Sequence, residues 1–382
     1  MTIPTLTSRE LGRATLARQH LLRRSDMDPL SMIEHLLGLQ AQAPMPPYYA
    51  LWTRLRGFRP EGLSRLIESR AVVRIVLMRS TVFAVSATDA HALRGWVQPF
   101  LERVLDTNAV YASGLDGVDR TSLTAAAREL LRDAPRSAQE LRPLLSERFP
   151  GADPSALAQG VRALLPLVQV PPRGLWGRSG QPRLAMLDDW ARLDPAARPP
   201  SPDTLILRYL AAFGPASVRD AQAWCGLTRL AEIFERLRPG LAVFRDEHGV
   251  ELFDLPDAPR PDPATPAPVR ILAPFDNVLL SHADRTRIVS EDVRKRVVAQ
   301  NGIIRPVVLV GGTVAGNAQV KTLEDAAVLE VTTWRRLTAS NRSAIEAEGT
   351  RLLRFAEPRA SAHEVRFVSD AGVRRADSTV EV

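Results

Sequence analysis

Two glutamines that stand one residue apart carry amide groups able to orient a water molecule against a substrate. Gln40 and Gln42 follow a predicted helix over residues 29–39 and precede Pro44 and two further prolines. On a continuing helix, positions i and i+2 point about 200° apart and could not act on one atom. Pro44 disfavours the helical conformation at Ala43, which predicts that the helix unwinds there into an extended segment. Both amides would then face one site, although a polar helix terminus is the simpler alternative.

Composition and charge restrict the class of protein. Of 382 residues, 45% are hydrophobic and 24% are charged, and no apolar run is long enough to cross a membrane. The N-terminus lacks the features of a secretory signal, so we expect a cytoplasmic protein without a membrane partner. A single cysteine, Cys225, excludes an intramolecular disulfide and a cysteine-cluster metal site. The histidines have no ligand spacing, so we expect neither metal nor cofactor; they are His20, His35, His91, His248, His282 and His363.

Nearly every cation in the chain is an arginine. Lys and Arg total 50 against 43 Asp and Glu, for a net charge of +7, and only Lys295 and Lys321 are lysines. Guanidinium groups suit bidentate contacts to phosphate, which makes nucleic acid a reasonable partner. A bias in genomic base composition is the alternative, because it also enriches arginine, alanine and proline.

A unit of helices followed by a two-stranded hairpin recurs three times. The first copy has helices starting at Ser8 and covering 29–39, 48–55 and 61–67, then strands at 71–76 and 81–86. The second has helices at 123–131, after the capping box at 137–140 and at 154–165, then strands at 167–170 and 183–187. The third has helices at 203–213, 217–224 and 228–237, then strands at 241–244 and 250–253. Helices that end in a hairpin are the plan of a winged helix.

The sequence therefore predicts an α+β fold, mainly α, with three tandem winged-helix units and a C-terminal α+β region. The predicted domains are residues 1–95, 96–198 and 199–257, a proline-rich linker at 258–268, the C-terminal region at 269–368 and a flexible tail at 369–382. The C-terminal region has predicted strands at 269–272, 307–310, 313–316, 326–332 and 365–367, and a helix at 340–355. Gly311 and Gly312 form a turn between two of these strands.

Four ordered segments resemble the AlkZ and AlkX (YcaQ) family of winged-helix DNA glycosylases. They are residues 38–44 (GLQAQAP), 77–81 (LMRST), 272–285 (LAPFDNVLLSHADR) and 301–306 (NGIIRP), the last leading into 308–312 (VLVGG) and 314–316 (VAG). The resemblance covers roughly residues 11–368. The AlkX branch carries Asp at the second position of the glutamine motif, so Gln42 places the chain nearer the AlkZ branch.

The resemblance implies three winged helices around a basic channel that holds double-stranded DNA containing alkylated guanine. Gln40 and Gln42 would be the catalytic pair of a monofunctional glycosylase, a monomer that removes N7-alkylguanine and unhooks interstrand crosslinks in repair or in self-resistance. The DNA contacts that the resemblance implies are Arg79, Arg285, His282, Asn277, Gly311 and Gly312. For Arg79 a structural salt bridge is the alternative. The family pattern is also retained at Asp276, Asn277, Asp284 and Arg285, for which the alternative is a turn cap or a buried ion pair that holds the last domain.

The chain departs from the family pattern at two places. Relatives commonly have a histidine at the position of Phe83, and often an aromatic and a basic residue after Gly316, where Asn317 begins a different sequence. A lyase step is not expected, because it commonly needs an amine and neither lysine is near the glutamine pair in sequence. The alternatives to a glycosylase are a non-catalytic winged-helix DNA-binding protein or regulator, and a winged-helix interaction protein without affinity for DNA.

Overall fold

Helices that end in paired strands make up the first part of the chain in the computed structural model, which describes residues 3–191, 200–297 and 304–369. The predicted tail from 370 onward and residues 301–303 of the fourth matching segment lie outside the described residues. The first elements are β1 (Thr5–Leu6), α1 (Ser8–Arg18), α2 (Pro29–His35), β2 (Leu39–Gln40), α3 (Pro46–Arg54), α4 (Pro60–Glu68), β3 (Val72–Val76) and β4 (Val82–Ser86).

The middle of the chain repeats this order of helices and a hairpin. It contains α5 (Ala87–Thr107), α6 (Ala109–Gly114), α7 (Arg120–Arg132), β5 (Arg136–Ser137), α8 (Ala138–Arg148), α9 (Pro154–Leu164), β6 (Leu167–Val170), β7 (Arg183–Met186) and α10 (Leu187–Trp190). Next come α11 (Pro202–Phe213), α12 (Val218–Cys225), α13 (Ala231–Leu237), β8 (Ala242–Asp246) and β9 (Glu251–Asp254). The capping box predicted at the start of α8 is confirmed, since Ser137 and Glu140 bond each other's backbone N–H groups.

The C-terminal region is built on a single sheet. Its elements are β10 (Arg270–Leu272), α14 (Glu291–Val297), β11 (Val307–Val310), β12 (Thr313–Thr322), β13 (Ala326–Thr333), α15 (Ala339–Ala356) and β14 (Ala362–Val368). The strands lie in the order β10-β11-β12-β13-β14, with α15 packed against them. Gly311 and Gly312 have φ angles of 61° and 92° and form the tight turn that the sequence predicts between β11 and β12.

Helix α5 was not predicted and corrects the first domain boundary. Its 21 residues start at the cap Ser86, which accepts from the Asp89 N–H, and run without interruption through the predicted division at residues 95 and 96. The hairpins on either side of this helix also join. Strand β3 pairs with β6, with Arg74 opposite Gln169, so the first two hairpins lie in one six-stranded sheet of order β2-β4-β3-β6-β7-β5.

Buried arginine–carboxylate pairs connect parts of the chain that are far apart in sequence. Unpaired buried charges are costly, so each pair fixes the elements that carry it. The buried pairs, with their shortest N–O distances, are Arg18–Asp254 at 2.6 Å, Arg24–Glu348 at 2.6 Å and Arg54–Asp276 at 2.7 Å. A further pair, Arg208–Asp89 at 2.6 Å, has a half-buried arginine. For Asp276 this is the buried ion pair that the sequence left open. Many arginines therefore serve the fold and are not free for DNA.

Removing one partner of the pair between α3 and the C-terminal region should destabilise the protein strongly. The Asp276 carboxylate takes two hydrogen bonds from Arg54, and both side chains are almost fully buried. We expect Asp276→Ala to lower the free energy of unfolding by about 3–5 kcal/mol, because it leaves a buried guanidinium without its partner. Urea denaturation measures this loss. Arg56→Gln breaks the exposed pair with Asp26 and serves as control. Equal small losses in both variants would contradict the structural role of the Arg54–Asp276 pair.

Candidate active site

Helix α2 ends four residues earlier than predicted, and glycine rather than proline causes the break. The Gly38 N–H donates to Ile33 O at 2.8 Å and the Leu37 N–H to Glu34 O at 3.1 Å, which is a Schellman motif. Leu37 and Gly38 have φ angles of 54° and 94°. A Cβ on Gly38 would lie 2.3 Å from a methyl carbon of Val85, so only glycine fits. The chain is thus already extended before it reaches the glutamines.

The glutamine segment is an edge strand that leaves its sheet after two residues. Leu39 and Gln40 pair with β4, with Gln40 opposite Phe83, and the Ala41 N–H donates to Val82 O at 2.7 Å. The expectation of an extended segment is confirmed for Leu39 and Gln40, whereas Gln42 lies in the bend that follows the strand. Strand alternation therefore does not place Gln42, and its orientation comes from its own hydrogen bond to the Val82 N–H. Gln42 is exposed, whereas Gln40 is only 7% exposed.

Hydrogen bonds fix the orientation of both carboxamides. Gln40 Oε1 accepts from Arg79 Nη2 at 3.0 Å, and Gln42 Oε1 accepts from the Val82 N–H at 3.1 Å. A guanidinium and a backbone N–H can only donate, so each amide must present its oxygen to them. Because an amide oxygen has two lone pairs, each keeps one for a further partner. Two oriented acceptors therefore stand on one short segment.

A strained turn places Arg79 over Gln40. Arg79 and Ser80 have φ angles of 57° and 56°, and the Thr81 N–H donates to Met78 O at 3.2 Å. Two consecutive left-handed residues form the tight turn that usually takes Asn-Gly, and without glycine each costs about 1–2 kcal/mol. Arg79 Nη1 also donates to Trp224 O at 2.8 Å. Such strain is often found at functional sites. The turn thus locates a guanidinium beside the first glutamine.

Phe83 completes the contact surface around Gln40. The Arg79 guanidinium carbon lies 5.3 Å from the centre of the Phe83 ring, which is fully buried. A cation over an aromatic face is held by the charge distribution of the ring. The position where relatives commonly have histidine is thus an apolar support for Arg79 in this chain, and it offers no proton to a substrate.

Arg79 and Arg285 give this site a positive charge. Burial, and next the nearby Arg285, lower the pKa of Arg79 to about 10, which leaves the guanidinium charged at neutral pH. Burial, and next Arg294, also lower the pKa of Arg285, which is half-buried. Within residues 3–191, 200–297 and 304–369, neither arginine forms an ion pair with a carboxylate. The predicted salt bridge of Arg79 is absent there, and the charge stays available for an anion.

A third arginine supports the segment from behind. Arg74 in β3 is only 2% exposed, and its Nη2 donates to Ala41 O at 2.9 Å, between the two glutamines. Burial, and next Arg173, lower its pKa to about 10. Sequence reasoning missed this residue. The signal was present, because an arginine in the middle of the apolar strand Val72–Val76 needs a buried acceptor.

Three of the residues expected to contact DNA are buried in the protein. Asn277 is 3% exposed and its Nδ2 donates to Gly38 O at 2.7 Å, which ties the turn before the glutamines to the C-terminal region. His282 is 1% exposed and its Nε2 contacts Phe213 O at 2.9 Å. Gly312 is buried as well, whereas Gly311 is exposed at the tip of the same turn. Buried residues cannot reach a duplex, so the expectation of DNA contacts is corrected for Asn277, His282 and Gly312.

Neither a metal site nor a membrane span is found in the described ranges. In them, no three His, Cys, Asp or Glu side chains are grouped so that they could hold a metal ion. The helices described in the same ranges are too short or too polar to cross a bilayer.

Comparisons with known proteins agree on one family. The family model described as DNA glycosylase AlkZ-like matches residues 33–355. The solved structure of the DNA glycosylase AlkZ from Streptomyces sahachiroi matches with a TM-score of 0.77 and 20% sequence identity, covering 95% of this chain and 100% of that one. Its similarity establishes a shared mixed helix and sheet fold. No curated protein matches the chain in a sequence search.

The burial of His282 predicts a pH dependence of stability. Burial, and next Arg287, lower the pKa of His282 to about 4, against an ordinary value of about 6.5. A histidine whose pKa is lowered by folding stabilises the protein above its unfolded pKa, and this contribution is lost as pH falls from about 6.5 to 4. We expect His282→Gln to lose less stability than wild type between pH 7 and pH 5 in urea denaturation. His248→Gln, in an exposed turn, should keep the wild-type profile. Identical profiles for all three proteins would contradict the assignment.

Proposed function

The chain belongs to the AlkZ-like family of DNA glycosylases, and from this premise we propose that it hydrolyses the N-glycosidic bond of N7-alkylguanine in duplex DNA. The proposal rests on the two carboxamides of Gln40 and Gln42. They stand on one short segment, and each is oriented by a group that only donates hydrogen bonds. The described hairpins β3–β4, β6–β7 and β8–β9 support the interpretation of three winged-helix units. These units would hold the duplex in a basic channel.

Two neutral amides suit a substrate that needs little acid catalysis. Alkylation at N7 makes the purine cationic, so the base already leaves easily without a proton. The remaining work is to place a water molecule and to stabilise positive charge on the sugar. The free lone pairs of the Gln40 and Gln42 oxygens can do both, since positioning and preorganised dipoles each contribute several kcal/mol. Amides are very weak bases, so undamaged nucleotides would not react.

Arg79 and Arg285 would hold the DNA strand that carries the lesion. Their guanidinium groups lie close enough for Arg285 to lower the pKa of Arg79, and neither is neutralised by a carboxylate of the described chain. Phosphates on either side of a lesion are the anions that this charge fits. Arg79 would thus both orient Gln40 and attract the backbone. Gln42 is exposed, so the proposed site would also suit bulky adducts and interstrand crosslinks, which cannot enter a closed pocket.

The reaction would stop at base removal. A lyase step needs an amine that attacks the sugar, and Lys321 on β12 is paired with Glu330 on β13 at 2.8 Å. Lys295 lies on α14, and neither lysine contacts the glutamine segment within the described residues. We therefore propose a monofunctional enzyme, a monomer without metal or cofactor that acts in the cytoplasm. Its role would be repair of alkylation damage or self-resistance to an alkylating natural product.

The direct test is base release from a duplex that contains N7-methylguanine. Wild type should release the base in a single-turnover assay, and the Gln40→Ala, Gln42→Ala double variant should lose at least about a hundredfold in rate, since it removes both oriented dipoles. Gln139→Ala, an exposed glutamine on α8, is the matched control and should keep the wild-type rate. Base release in the double variant that equals wild type would refute the roles of the two glutamines. A wild-type protein that binds the duplex without turnover would favour the non-catalytic DNA-binding alternative.

Arg79 should be more sensitive to a conservative change than an ordinary surface arginine. Its two nitrogens bridge Trp224 O and Gln40 Oε1, and the single ammonium of a lysine cannot make both bonds in one geometry. We expect Arg79→Lys to lower the single-turnover rate by about tenfold, the equivalent of one lost hydrogen bond. Arg103→Lys, which changes an exposed arginine bonded to Gly226 O, is the control. Equal rates in the two variants would show that Arg79 does not position Gln40.

A further inference from the structure

A cleft lined with arginine lies between α1, the β11–β12 turn and the start of α15. Its volume is about 730 Å³. The arginines that line it come from separate parts of the chain, namely Arg9, Arg13, Arg287, Arg335 and Arg336. Arg13 and Arg287 are buried, and the other three are exposed. The exposed turn residue Gly311 lies at its edge. We call this feature the arginine cleft.

Backbone carbonyl groups hold the arginine side chains of the cleft in place. These neutral groups do not cancel the positive charge of the arginines. Arg9 Nε donates to Pro263 O at 2.8 Å, Arg13 Nε to Thr265 O at 2.7 Å, and Arg335 Nη2 to Val310 O at 2.6 Å. In the part of the chain that the structure describes, these three and Arg336 form no ion pair with a carboxylate. The fifth, Arg287, lies 4.0 Å from Asp220.

Carboxylates near the cleft are fewer than its arginines. Glu247 accepts from the Ser8 N–H at 2.8 Å, and Asp284 accepts from the Thr286 N–H at 2.9 Å. Both carboxylates contact residues that line the cleft, but neither Glu247 nor Asp284 is itself a lining residue. The cleft therefore keeps a net positive charge, and a bound anion would satisfy it.

The N-terminus of α15 adds to this charge. Asn341 lies in the first turn of this helix of 18 residues, whereas the N-terminus of α1 already faces Glu247, which accepts from the Ser8 N–H. The N-terminal end of a helix carries a partial positive charge that favours anions. Together with the arginines, this end makes the cleft suited to several phosphate oxygens at once.

A short segment of chain links the cleft to the glutamine site. Arg285 lies near Arg79, and the two residues that follow it in sequence, Thr286 and Arg287, line the arginine cleft.

We propose that the arginine cleft binds backbone phosphodiester groups of duplex DNA, a few nucleotides away from the base on which Gln40 and Gln42 act. The proposal rests on the function proposed above and assigns it a second contact with the substrate. The chemistry it requires is that of a phosphate ester, which a free nucleotide also carries. The duplex is the better source, because Arg9, Arg335 and Arg336 are exposed and a polyanion can contact all three at once.

Neutralising two exposed arginines of the cleft tests the proposal. Arg9 and Arg336 are exposed, so the Arg9→Gln, Arg336→Gln double variant should fold normally, and thermal unfolding checks this. The matched control is Arg354→Gln, Arg359→Gln, which removes the same charge from exposed positions near the other end of α15. That helix is about 27 Å long at 1.5 Å per residue, so the control lies far from the cleft.

The measurement is the salt dependence of binding to an undamaged duplex, by fluorescence anisotropy over a series of KCl concentrations. Each phosphate contact contributes about 0.9 to the slope of log Kd against log salt, so the cleft variant should lose about 1.8 from the slope. The control variant should keep the wild-type slope. Equal slopes in the two variants would overturn the proposal.

A second experiment distinguishes binding of duplex DNA from binding of a free nucleotide. Deoxyguanosine monophosphate is added as competitor, and the proposal expects it to displace duplex only at millimolar or higher concentration. Tight binding of the nucleotide that disappears in the cleft variant, with an unchanged duplex slope, would assign the cleft to a free nucleotide and overturn the proposal. Failure of base release in wild type, with the slope loss intact, would refute the glycosylase function and leave the phosphate contacts standing.

Discussion

The position of the glutamine pair depends on hydrogen bonds that hold residues 38–42 from both sides, two of them buried. Asn277 binds the Gly38 carbonyl, Arg74 binds the Ala41 carbonyl, and the Val82 N–H binds the side chain of Gln42. A buried donor that loses its acceptor costs about 1–3 kcal/mol, so the segment cannot move without breaking several such bonds together. The catalytic geometry proposed for the pair is therefore built into the folded protein before DNA arrives.

The arginine-rich composition serves two separate purposes. Some guanidinium groups form buried ion pairs that stabilise the fold. The Arg18–Asp254 and Arg54–Asp276 pairs are examples, and they join the beginning of the chain to later elements. Others, such as Arg79 and Arg336, have no carboxylate partner among the described residues. Net charge alone cannot separate these groups, because a paired and an unpaired arginine contribute equally to it. The three-dimensional structure separates them: Arg79 beside Gln40 and the cleft residues Arg9, Arg335 and Arg336 form no ion pair within the described residues, although other unpaired arginines, such as Arg359, lie elsewhere.

Local signals in the sequence predicted much of the fold, and long-range contacts account for what was missed. The capping box at Ser137 and the glycine turn at Gly311 are encoded within a few residues and were correct. The early end of α2 depends on Val85, which lies far along the chain and leaves no room for a side chain at Gly38. The burial of His282 and the support by Arg74 likewise depend on partners more than 30 residues away. The six-stranded sheet arises because two hairpins pair, which no local pattern reveals.

The most direct measurement of the central claim is the position of the lesion sugar relative to the two carboxamides. A crystal structure of the protein bound to a duplex with a 2′-fluoro analogue of N7-methyldeoxyguanosine would show it, since the fluorine slows departure of the base. The account predicts that the Gln40 and Gln42 oxygens lie within about 3–4 Å of the anomeric carbon or of a water molecule placed against it. A sugar on the opposite side of the sheet, or one approached by neither amide, would contradict the account.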